Sequence, residues 1–480
     1  MMRLTALELD NFKNVRHGCI GLSNCADGSC FDNSDIVGIY GQNGSGKTSI
    51  IAALFILKAL FQGDELPEDL TEECIAVGAD AFTIRCEGVI ESDRYPFVPW
   101  RYEVRVGRSR EGGCVIAAER VWCKRVRALK QSMALVFDYE REGEGGFSIG
   151  PKAFWESLSS LDKKLPTQVA VAQALSDEKS TSLFFSWDLY RPFSYFFDLF
   201  IDGDGEAFSP RGREIYETHG YYVSVLQLEL HLFALRNMVV LPPSNQVYSI
   251  VDLLAVFTHE GSGGLFADCC FKIDLTEPDT LEVEMLEALE KTVTTINGVL
   301  GALVPGLSVS IEKLGAALLD DGERGERIEV VATRNGVTVP LRCESEGIKR
   351  LVSILNLLVD VYANPSACVA IDELDAGIFE YLLGEILQVL EERGKGQLIF
   401  TAHNLRPLET ISKKSIVFTT TNPDNRYIPF KGLKASNNLR NQYLRAVYLG
   451  GQDEEIYEPT SKFAIDNAFY DAGVSLGVER

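Results

Sequence analysis

The 480-residue sequence lacks any long apolar stretch and any excess of basic charge. No apolar run approaches the roughly 18 residues that a transmembrane helix needs, and Met1–Thr5 carries no signal-peptide core. Lys and Arg number 46 against 69 Asp and Glu, so the net charge is −23. This acidity excludes a protein that coats DNA by charge alone, because such binding needs Lys and Arg facing phosphates. A local basic groove remains compatible with it.

Cysteines at metal-binding spacing are also lacking. The eleven cysteines are scattered, no two are spaced as CxxC, and Cys19, Cys25 and Cys30 are too irregularly spaced for a zinc knuckle. We therefore predict that all eleven are reduced, mostly buried thiols in a cytoplasmic protein. The composition, 46% hydrophobic and 24% charged residues, is that of an ordinary folded protein.

A glycine-rich loop is present between a predicted strand and a predicted helix. The apolar run Ile36–Tyr40 predicts a strand buried on both faces, and Ser49–Phe61 has apolar residues at helical spacing. Between them, Gly41–Thr48 fits the pattern G-x-x-x-x-G-K-[ST], whose backbone N–H groups cradle phosphate oxygens. The predicted nucleotide-binding residues are Gly41, Asn43, Gly44, Ser45, Gly46, Lys47, Thr48 and Ser49. This loop predicts that the protein binds ATP with Mg²⁺.

Two carboxylates follow a second predicted strand. The apolar run Ala367–Ile371 ends at Asp372 and Glu373, where an α/β sheet places its ligands. Lys47 is predicted to reach the β- and γ-phosphates, and Thr48 and Asp372 to hold Mg²⁺. Glu373 is predicted to be the general base that polarises the attacking water. A surface Asp-Glu pair is the alternative, and the phosphate loop in the same chain disfavours it.

Two further segments complete the candidate site. Leu398–His403 ends a predicted strand in Thr-Ala-His, and the chain has only five histidines. His403 is predicted to bond the γ-phosphate, with a structural strand-end histidine as the alternative. Ser345 and Gly347 stand at a predicted helix start, where N–H and O–H groups can donate to phosphate. Ser-Glu is, however, also an ordinary helix N-cap.

The order of these motifs resembles the ABC-type ATPases of the SMC, RecF and OLD group: phosphate loop, Ser-x-Gly helix, Asp-Glu strand and Thr-x-His strand. The opening Leu7–Asn14 is similar to the L-x-N-F-K start of that group. The resemblance covers about residues 1–125 and 305–430.

That resemblance implies a homo-oligomer in which two ATPase heads sandwich ATP. Ser345 and Gly347 of one head would face Lys47 of the other, and Asp375 would lie in the D-loop across the interface. The sequence departs from the family in its signature, since Ser345-Glu346-Gly347 is a degenerate form. We could not place the glutamine of the Q-loop.

The predicted fold class is α/β: an ABC-type ATPase head with a mostly parallel sheet flanked by helices, an antiparallel β subdomain and a helical inserted lobe. Residues 1–127 would form the first part of the head, 128–304 the lobe, 305–430 the second part of the head and 431–480 a tail subdomain. Aromatic clusters such as Phe184–Trp187 are interpreted as the core of the lobe, with a partner-binding surface as the alternative.

No effector domain is recognisable in the sequence. The chain after His403 is shorter than a Toprim nuclease domain, and Asp202 and Asp204 lie in a glycine turn that we interpret as a loop. The tail resembles stand-alone ATPases of prokaryotic anti-phage systems, most of all the AriA family of PARIS ATPase subunits. That resemblance implies a scaffold that holds an AriB-like Toprim nuclease and releases it when a phage protein, a DNA mimic, is sensed.

The alternative function is that of a RecF-like DNA-repair ATPase. Its DNA contact would be a basic strip made of Arg101, Arg105, Arg108, Arg110, Lys124, Arg125 and Arg127. Scattered strand arginines more often form a solvated face, and salt-sensitive DNA binding would favour this alternative. The ATPase subunit of a transporter is disfavoured by the SMC-like start and by the degenerate signature.

Overall fold

The computed structural model describes most of the chain. The described residues are 1–23, 25, 30–91, 97–109, 112–124, 133–142, 146–161, 163–186, 189, 221–241, 253–257, 270–319, 322–430 and 438–475. Three of the sequence predictions therefore lie outside them: Trp187, the Asp202–Asp204 turn, and the basic residues Arg110, Arg125 and Arg127.

Nineteen strands and eleven α-helices are found in these residues. The strands are β1 (Met2–Phe12), β2 (Val15–Gly21), β3 (Asp35–Tyr40), β4 (Ala81–Ile90), β5 (Val98–Arg108), β6 (Cys114–Cys123), β7 (Ala134–Glu142), β8 (Gly146–Gly150), β9 (Met238–Leu241), β10 (Leu253–Phe257), β11 (Cys270–Asp274), β12 (Asp279–Leu281), β13 (Leu307–Leu318), β14 (Arg324–Arg334), β15 (Val337–Pro340), β16 (Cys368–Ile371), β17 (Gln397–Thr401), β18 (Ile416–Thr419) and β19 (Tyr427–Pro429). The helices are α1 (Lys47–Gln62), α2 (Glu68–Glu73), α3 (Lys152–Leu161), α4 (Leu165–Lys179), α5 (Tyr221–Arg236), α6 (Val283–Leu303), α7 (Glu346–Ala363), α8 (Glu380–Arg393), α9 (Pro407–Thr410), α10 (Leu439–Leu449) and α11 (Lys462–Ser475).

A six-stranded sheet in the order β19-β18-β3-β17-β16-β9 carries the phosphate loop. Every neighbouring pair in it is parallel except β18 and β19. β16 and β17 are buried at every residue, as expected for strands covered by helices on both faces. Because β3, β17 and β16 are parallel neighbours, their carboxyl ends meet at one edge of the sheet.

A seven-stranded antiparallel sheet, β2-β1-β4-β5-β6-β7-β8, lies on the other side of α1. Apolar side chains of α1 share one core with both sheets; Ile50 and Phe61, for example, are fully buried in it. The ring of Phe61 packs edge-on against that of Trp100 on β5, with the centroids 6.2 Å apart. The helix that follows the phosphate loop is thus held on both sides.

Helices α7, α8 and α10 cover the opposite face of the parallel sheet in a second core. A third core joins α6 and α7 to the small sheet of β12, β14 and β13, to which β15 is added. The predicted α/β class is therefore confirmed, with its mostly parallel sheet between helices and its antiparallel β subdomain. No helix in the described ranges combines the length and the apolar character that crossing a membrane requires.

Three strands in the predicted lobe, β7, β8 and β9, belong to the two large sheets. β7 pairs with β6 and extends the antiparallel sheet, and β9 pairs in parallel with β16 at the edge of the other sheet. α3, α4 and α5 are the helical part of that stretch that the structure describes after β8 and before β9. The division of the chain at residues 127 and 304 stays a prediction.

The prediction that all eleven cysteines are reduced is wrong in one loop. Cys25 and Cys30 form a disulfide, with their Cα atoms 4.9 Å apart. The irregular spacing argued against a zinc site but did not exclude a bond between two of the cysteines, because a short loop can bring residues five apart together. Of the other cysteines whose burial the structure describes, Cys74, Cys86, Cys114, Cys123 and Cys368 are buried, and Cys19 and Cys343 are exposed.

Candidate functional site

The phosphate loop, the Asp-Glu pair and the Thr-Ala-His segment meet at one edge of the parallel sheet. The loop follows β3, Thr401 ends β17, and Asp372 follows β16. The register pairs Thr401 with Ile39 of β3 and Phe400 with Ile371 of β16. Segments that lie more than 300 residues apart in sequence thereby become neighbours.

The phosphate loop is shaped by glycines with positive φ. Gly44 has φ 74° and Gly46, which precedes the first residue of α1, has φ 89°, a region that other residues rarely adopt. The Lys47 ammonium donates to the backbone carbonyl oxygens of Gly41 at 2.9 Å and Gln42 at 3.1 Å. Burial lowers the pKa of Lys47, and the nearby carboxylates of Asp372 and Glu373 oppose that shift.

Thr48, Asp372 and Thr401 form a cluster of oxygen ligands. The Thr48 hydroxyl lies 3.2 Å from Oδ2 of Asp372, and the Thr401 hydroxyl donates to Oδ1 at 2.6 Å. A hydroxyl and a carboxylate are the hard oxygen donors that Mg²⁺ prefers, so the predicted pair Thr48 and Asp372 fits this ion. Thr401 fixes the carboxylate from the opposite side, a role the sequence analysis did not assign to it.

Glu373 holds an unusual backbone conformation beside this cluster. Its φ is 47°, in the left-handed region that a non-glycine residue occupies at a strain of about 1–3 kcal/mol. Its backbone N–H donates to the Thr401 hydroxyl at 2.8 Å, and its side chain is exposed. The carboxylate predicted to be the base is therefore open to water, and the residue is fixed through its main chain.

Arg350 of α7 forms hydrogen bonds with the main chain of Asp372 and Glu373. It is 2% exposed, and its guanidinium Nη2 donates to the carbonyl oxygens of Asp372 and Glu373, both at 3.2 Å. Burial lowers its pKa to about 10, which leaves it charged at neutral pH. The sequence analysis missed Arg350, although it lies at helical spacing with the apolar Ile354 and so on the buried face of α7.

Asp375 and His403 are joined within the chain. One Asp375 carboxylate oxygen accepts from the backbone N–H groups of His403 at 2.9 Å and Asn404 at 2.6 Å. The segment after Glu373 is thereby tied to the end of β17, and the His403 side chain is exposed there. The D-loop role of Asp375 and the phosphate contact of His403 stay predictions.

Ser345 and Gly347 begin α7 close to the loop that contains Asp375. Ser345 is the N-cap of α7 and its hydroxyl accepts from the Ile348 N–H at 3.4 Å, as an ordinary cap does. Gly347 packs so tightly on Gly377 that a Cβ would lie 2.3 Å from the Gly377 carbonyl oxygen. Their hydrogen bonds in the described residues run within α7 and not to the phosphate loop, and their contact with the ATP of a second head stays a prediction.

Substitution of Gly347 by alanine is expected to displace the Asp375 loop. The new methyl group would collide with the backbone of Gly377, so we expect a loss of about 1–3 kcal/mol in the free energy of unfolding and slower ATP turnover. Gly298→Ala in α6 is the matched control, because a Cβ there meets nothing within 4 Å. Urea unfolding of both variants measures the difference, and equal stabilities would contradict the contact.

The C-terminal tail also reaches the phosphate loop. The backbone N–H of Glu458 donates to the side-chain oxygen of Gln42 at 2.7 Å, and Ile456 nearby is buried. The carboxylate of Glu454 accepts from the amide groups of Asn422 and Asn425, in the loop between β18 and β19. Nothing in the spacing of these residues pointed to such a contact.

Several arginines of the antiparallel sheet form ion pairs with neighbouring carboxylates. Arg101 pairs with Glu87, and Arg105 pairs with Glu140 at 3.0 Å. A row of directly opposed residues crosses five strands with alternating charge: Glu8, Arg85, Glu103, Arg120 and Asp138. Adjacent carboxylates thus neutralise Arg101 and Arg105, two of the seven residues of the predicted basic strip, and the strip itself stays a prediction.

Comparison with known proteins finds structural similarity but no sequence match. No family model and no curated protein matches this sequence. The Smc head domain with a coiled coil bound to a ScpA domain, from Pyrococcus furiosus, has a TM-score of 0.40 at 12% identity over 89% of this chain and 96% of that one. The SMC head domain from Thermotoga maritima has 0.34 at 15% over 90% and 100%, and the recombination mediator protein RecF with ATP has 0.33 at 12% over 83% and 91%. At these TM-scores, the similarities carry no inference about the activity or partners of this chain.

Proposed function

We propose that this chain is a Mg²⁺-dependent ATPase whose active site is the edge formed by the ends of β3, β16 and β17. The observation that carries the proposal is the meeting of a glycine-rich phosphate loop with an Asp-Glu pair. Thr48 of the loop lies 3.2 Å from Asp372, and Glu373 follows directly on a main chain fixed by two further residues. A phosphate-binding loop, a hard metal-ligand pair and a general base in one place suit phosphoryl transfer to water.

In this reaction, some of the site residues bind the nucleotide and another accepts the proton. The N–H groups of the loop and the Lys47 ammonium bind the phosphate oxygens, and Thr48 and Asp372 would hold Mg²⁺, which would supply charge neutralisation on those oxygens. The oxygen of a water molecule attacks the γ-phosphorus as the bond from phosphorus to the ADP oxygen breaks, and the Glu373 carboxylate accepts the proton of that water. His403, at the end of β17, contacts the γ-phosphate in this proposal.

A second head completes the site. The N-terminus of α7 is exposed at Ser345, while Gly347 contacts the Asp375 loop of its own chain and not the phosphate loop. Exposed N–H groups at a helix start favour phosphate, so Ser345 and Gly347 are suited to close the nucleotide site of another copy. Asp375, next to them, would then lie at the interface between the two heads.

The activity is tested by phosphate release from Mg-ATP with the purified full-length chain. We expect turnover that requires Mg²⁺ and increases with protein concentration as heads pair. Phosphate release that is indistinguishable from that of the buffer, across the whole concentration range, would contradict the ATPase assignment.

In the cell, we propose a sensor and scaffold that holds an AriB-like Toprim nuclease and releases it when a phage protein is sensed. The support is the similarity of the tail to anti-phage ATPases, together with the ion pairs that engage Arg101 and Arg105, two residues of the strip that the RecF-like alternative needs. The trigger would be a phage-encoded DNA mimic.

Affinity capture from the native host tests this cellular role. With tagged Glu373→Gln protein as bait, we expect a nuclease in stoichiometric amount, and tagged Lys47→Ala protein is the comparison. Recovery of nuclease-sensitive DNA and repair proteins without an effector would instead support the RecF-like function.

A further inference from the structure

Two backbone carbonyl groups of the phosphate loop are held by side chains from outside the loop. The Asn14 amide, in the turn between β1 and β2, donates to the Gly44 carbonyl oxygen. The Tyr427 hydroxyl of β19 donates to the Gly46 carbonyl oxygen at 2.8 Å. Both carbonyls belong to the glycines that give the loop its shape.

These contacts fix the direction of two N–H groups. In a planar trans peptide, the carbonyl of one residue and the N–H of the next point in opposite directions. Holding the Gly44 carbonyl therefore aims the N–H of Ser45, and holding the Gly46 carbonyl aims the N–H of Lys47. The Lys47 N–H belongs to the part of the loop that would surround phosphate, whereas the Ser45 N–H closes a turn of the loop by donating to the Gln42 carbonyl oxygen at 3.3 Å.

The two donors are themselves rigidly placed. Arg426, which is 6% exposed, donates to the carbonyl oxygens of Asn14 at 2.7 Å and Thr420 at 2.6 Å, so it ties the β1–β2 turn to the β18–β19 hairpin. The Tyr427 ring is 4% exposed and packs on Gly18, where a Cβ would lie 2.6 Å from the ring. The ring is thus held by packing, and the turn is held through the main chain of Asn14.

We propose that Tyr427 is a positioning residue that holds the Lys47 N–H in the phosphate-binding orientation before nucleotide arrives, and that Asn14 is a second positioning residue that holds the turn of the loop closed by the Ser45 N–H. The proposal rests on the proposed ATP binding of this loop. It assigns to β19 and to the β1–β2 turn a part in nucleotide affinity, although neither supplies a group that touches phosphate. Loss of either donor would let the peptide unit rotate, and binding would have to restore the orientation.

Tyr427→Phe is the test, with Tyr40→Phe as its matched control. Both tyrosines are buried and next to the loop, but the Tyr40 hydroxyl has no hydrogen-bond partner among the described residues. With a fluorescent ATP analogue and Mg²⁺, we expect the Kd of Tyr427→Phe to rise about 5- to 10-fold, the effect of one lost hydrogen bond. Tyr40→Phe should bind as the wild type does. Turnover at saturating ATP should change less than twofold in Tyr427→Phe, because Glu373 is untouched.

Asn14→Ala provides a second variant that does not depend on core packing, since Asn14 is exposed. It should raise Kd about 5-fold with an unchanged urea midpoint. If the wild type binds the analogue and both variants bind it equally well, the positioning role is overturned while ATP binding stands. If neither the wild type nor Tyr40→Phe binds the analogue, the proposed function fails and this inference fails with it.

Discussion

Replacing Glu373 with glutamine is expected to leave ATP binding intact and to lower turnover by about 100-fold or more. Glutamine keeps the size of the side chain and its backbone contacts, so the bonds from Thr401 and Arg350 to this residue remain. What it loses is the carboxylate that accepts a proton from water. General-base catalysis contributes about 10²–10⁴-fold in rate, which sets the size of the expected loss.

The measurement pairs steady-state phosphate release with equilibrium binding of a fluorescent ATP analogue. Glu392→Gln on α8 is the matched control, because this exposed glutamate bonds Gln388 one turn away. It should match the wild type in both assays. Turnover by Glu373→Gln at the wild-type rate would show that another group accepts the proton.

Replacing Lys47 with alanine is expected to weaken ATP binding by about 100-fold or more. The ammonium makes charge-assisted hydrogen bonds, each of about 1.5–3 kcal/mol, and two such bonds to phosphate oxygens account for this factor. In the structure the same ammonium satisfies the carbonyl oxygens of Gly41 and Gln42, which the substitution leaves without this donor. The free energy of unfolding should therefore also fall, by about 1 kcal/mol.

Isothermal titration with Mg-ATP measures the affinity, and urea unfolding measures the stability. Lys152→Ala is the control, since that lysine is 87% exposed and forms only a surface pair with Glu156. An affinity of Lys47→Ala within twofold of the wild type would mean that ATP, if bound, lies elsewhere.

The parts of the site that could be predicted from sequence are those encoded by neighbouring residues. Gly41–Thr48 has a fixed pattern with a strand before it and a helix after it, and Asp372 follows a short apolar run. Both patterns are local. Because parallel strands place their carboxyl ends together, the two segments were predicted to lie in one site. The strands β3, β16 and β17 lie where the apolar runs indicated.

The residues that support the site could not be predicted in the same way. Tyr427 contacts a loop about 380 positions earlier in the chain, and Arg350 acts through carbonyl oxygens that no sequence pattern records. β9 was not predicted from the sequence, for a related reason. It is a four-residue strand whose place beside β16 depends on tertiary pairing. Such contacts follow from the packed fold and leave no local spacing to recognise.

The left-handed conformation of Glu373 is a second feature that could not be predicted from the sequence. A buried strand that ends in Asp-Glu predicts two carboxylates, but not that one is buried and the other exposed. Thr401 and Arg350 hold the turn that separates them, which points Asp372 to Thr48 and leaves Glu373 open to water. The different roles of the two carboxylates thus depend on main-chain contacts.

The most direct test of the central claim follows ATP labelled on its γ-phosphate through a single turnover with the full-length chain in excess. Wild-type protein should release labelled phosphate, whereas Glu373→Gln should retain intact labelled ATP and Lys47→Ala should retain none. This pattern would establish that one site binds ATP through Lys47 and hydrolyses it through Glu373. The claim is contradicted if neither the wild type nor Glu373→Gln retains intact ATP and neither releases labelled phosphate.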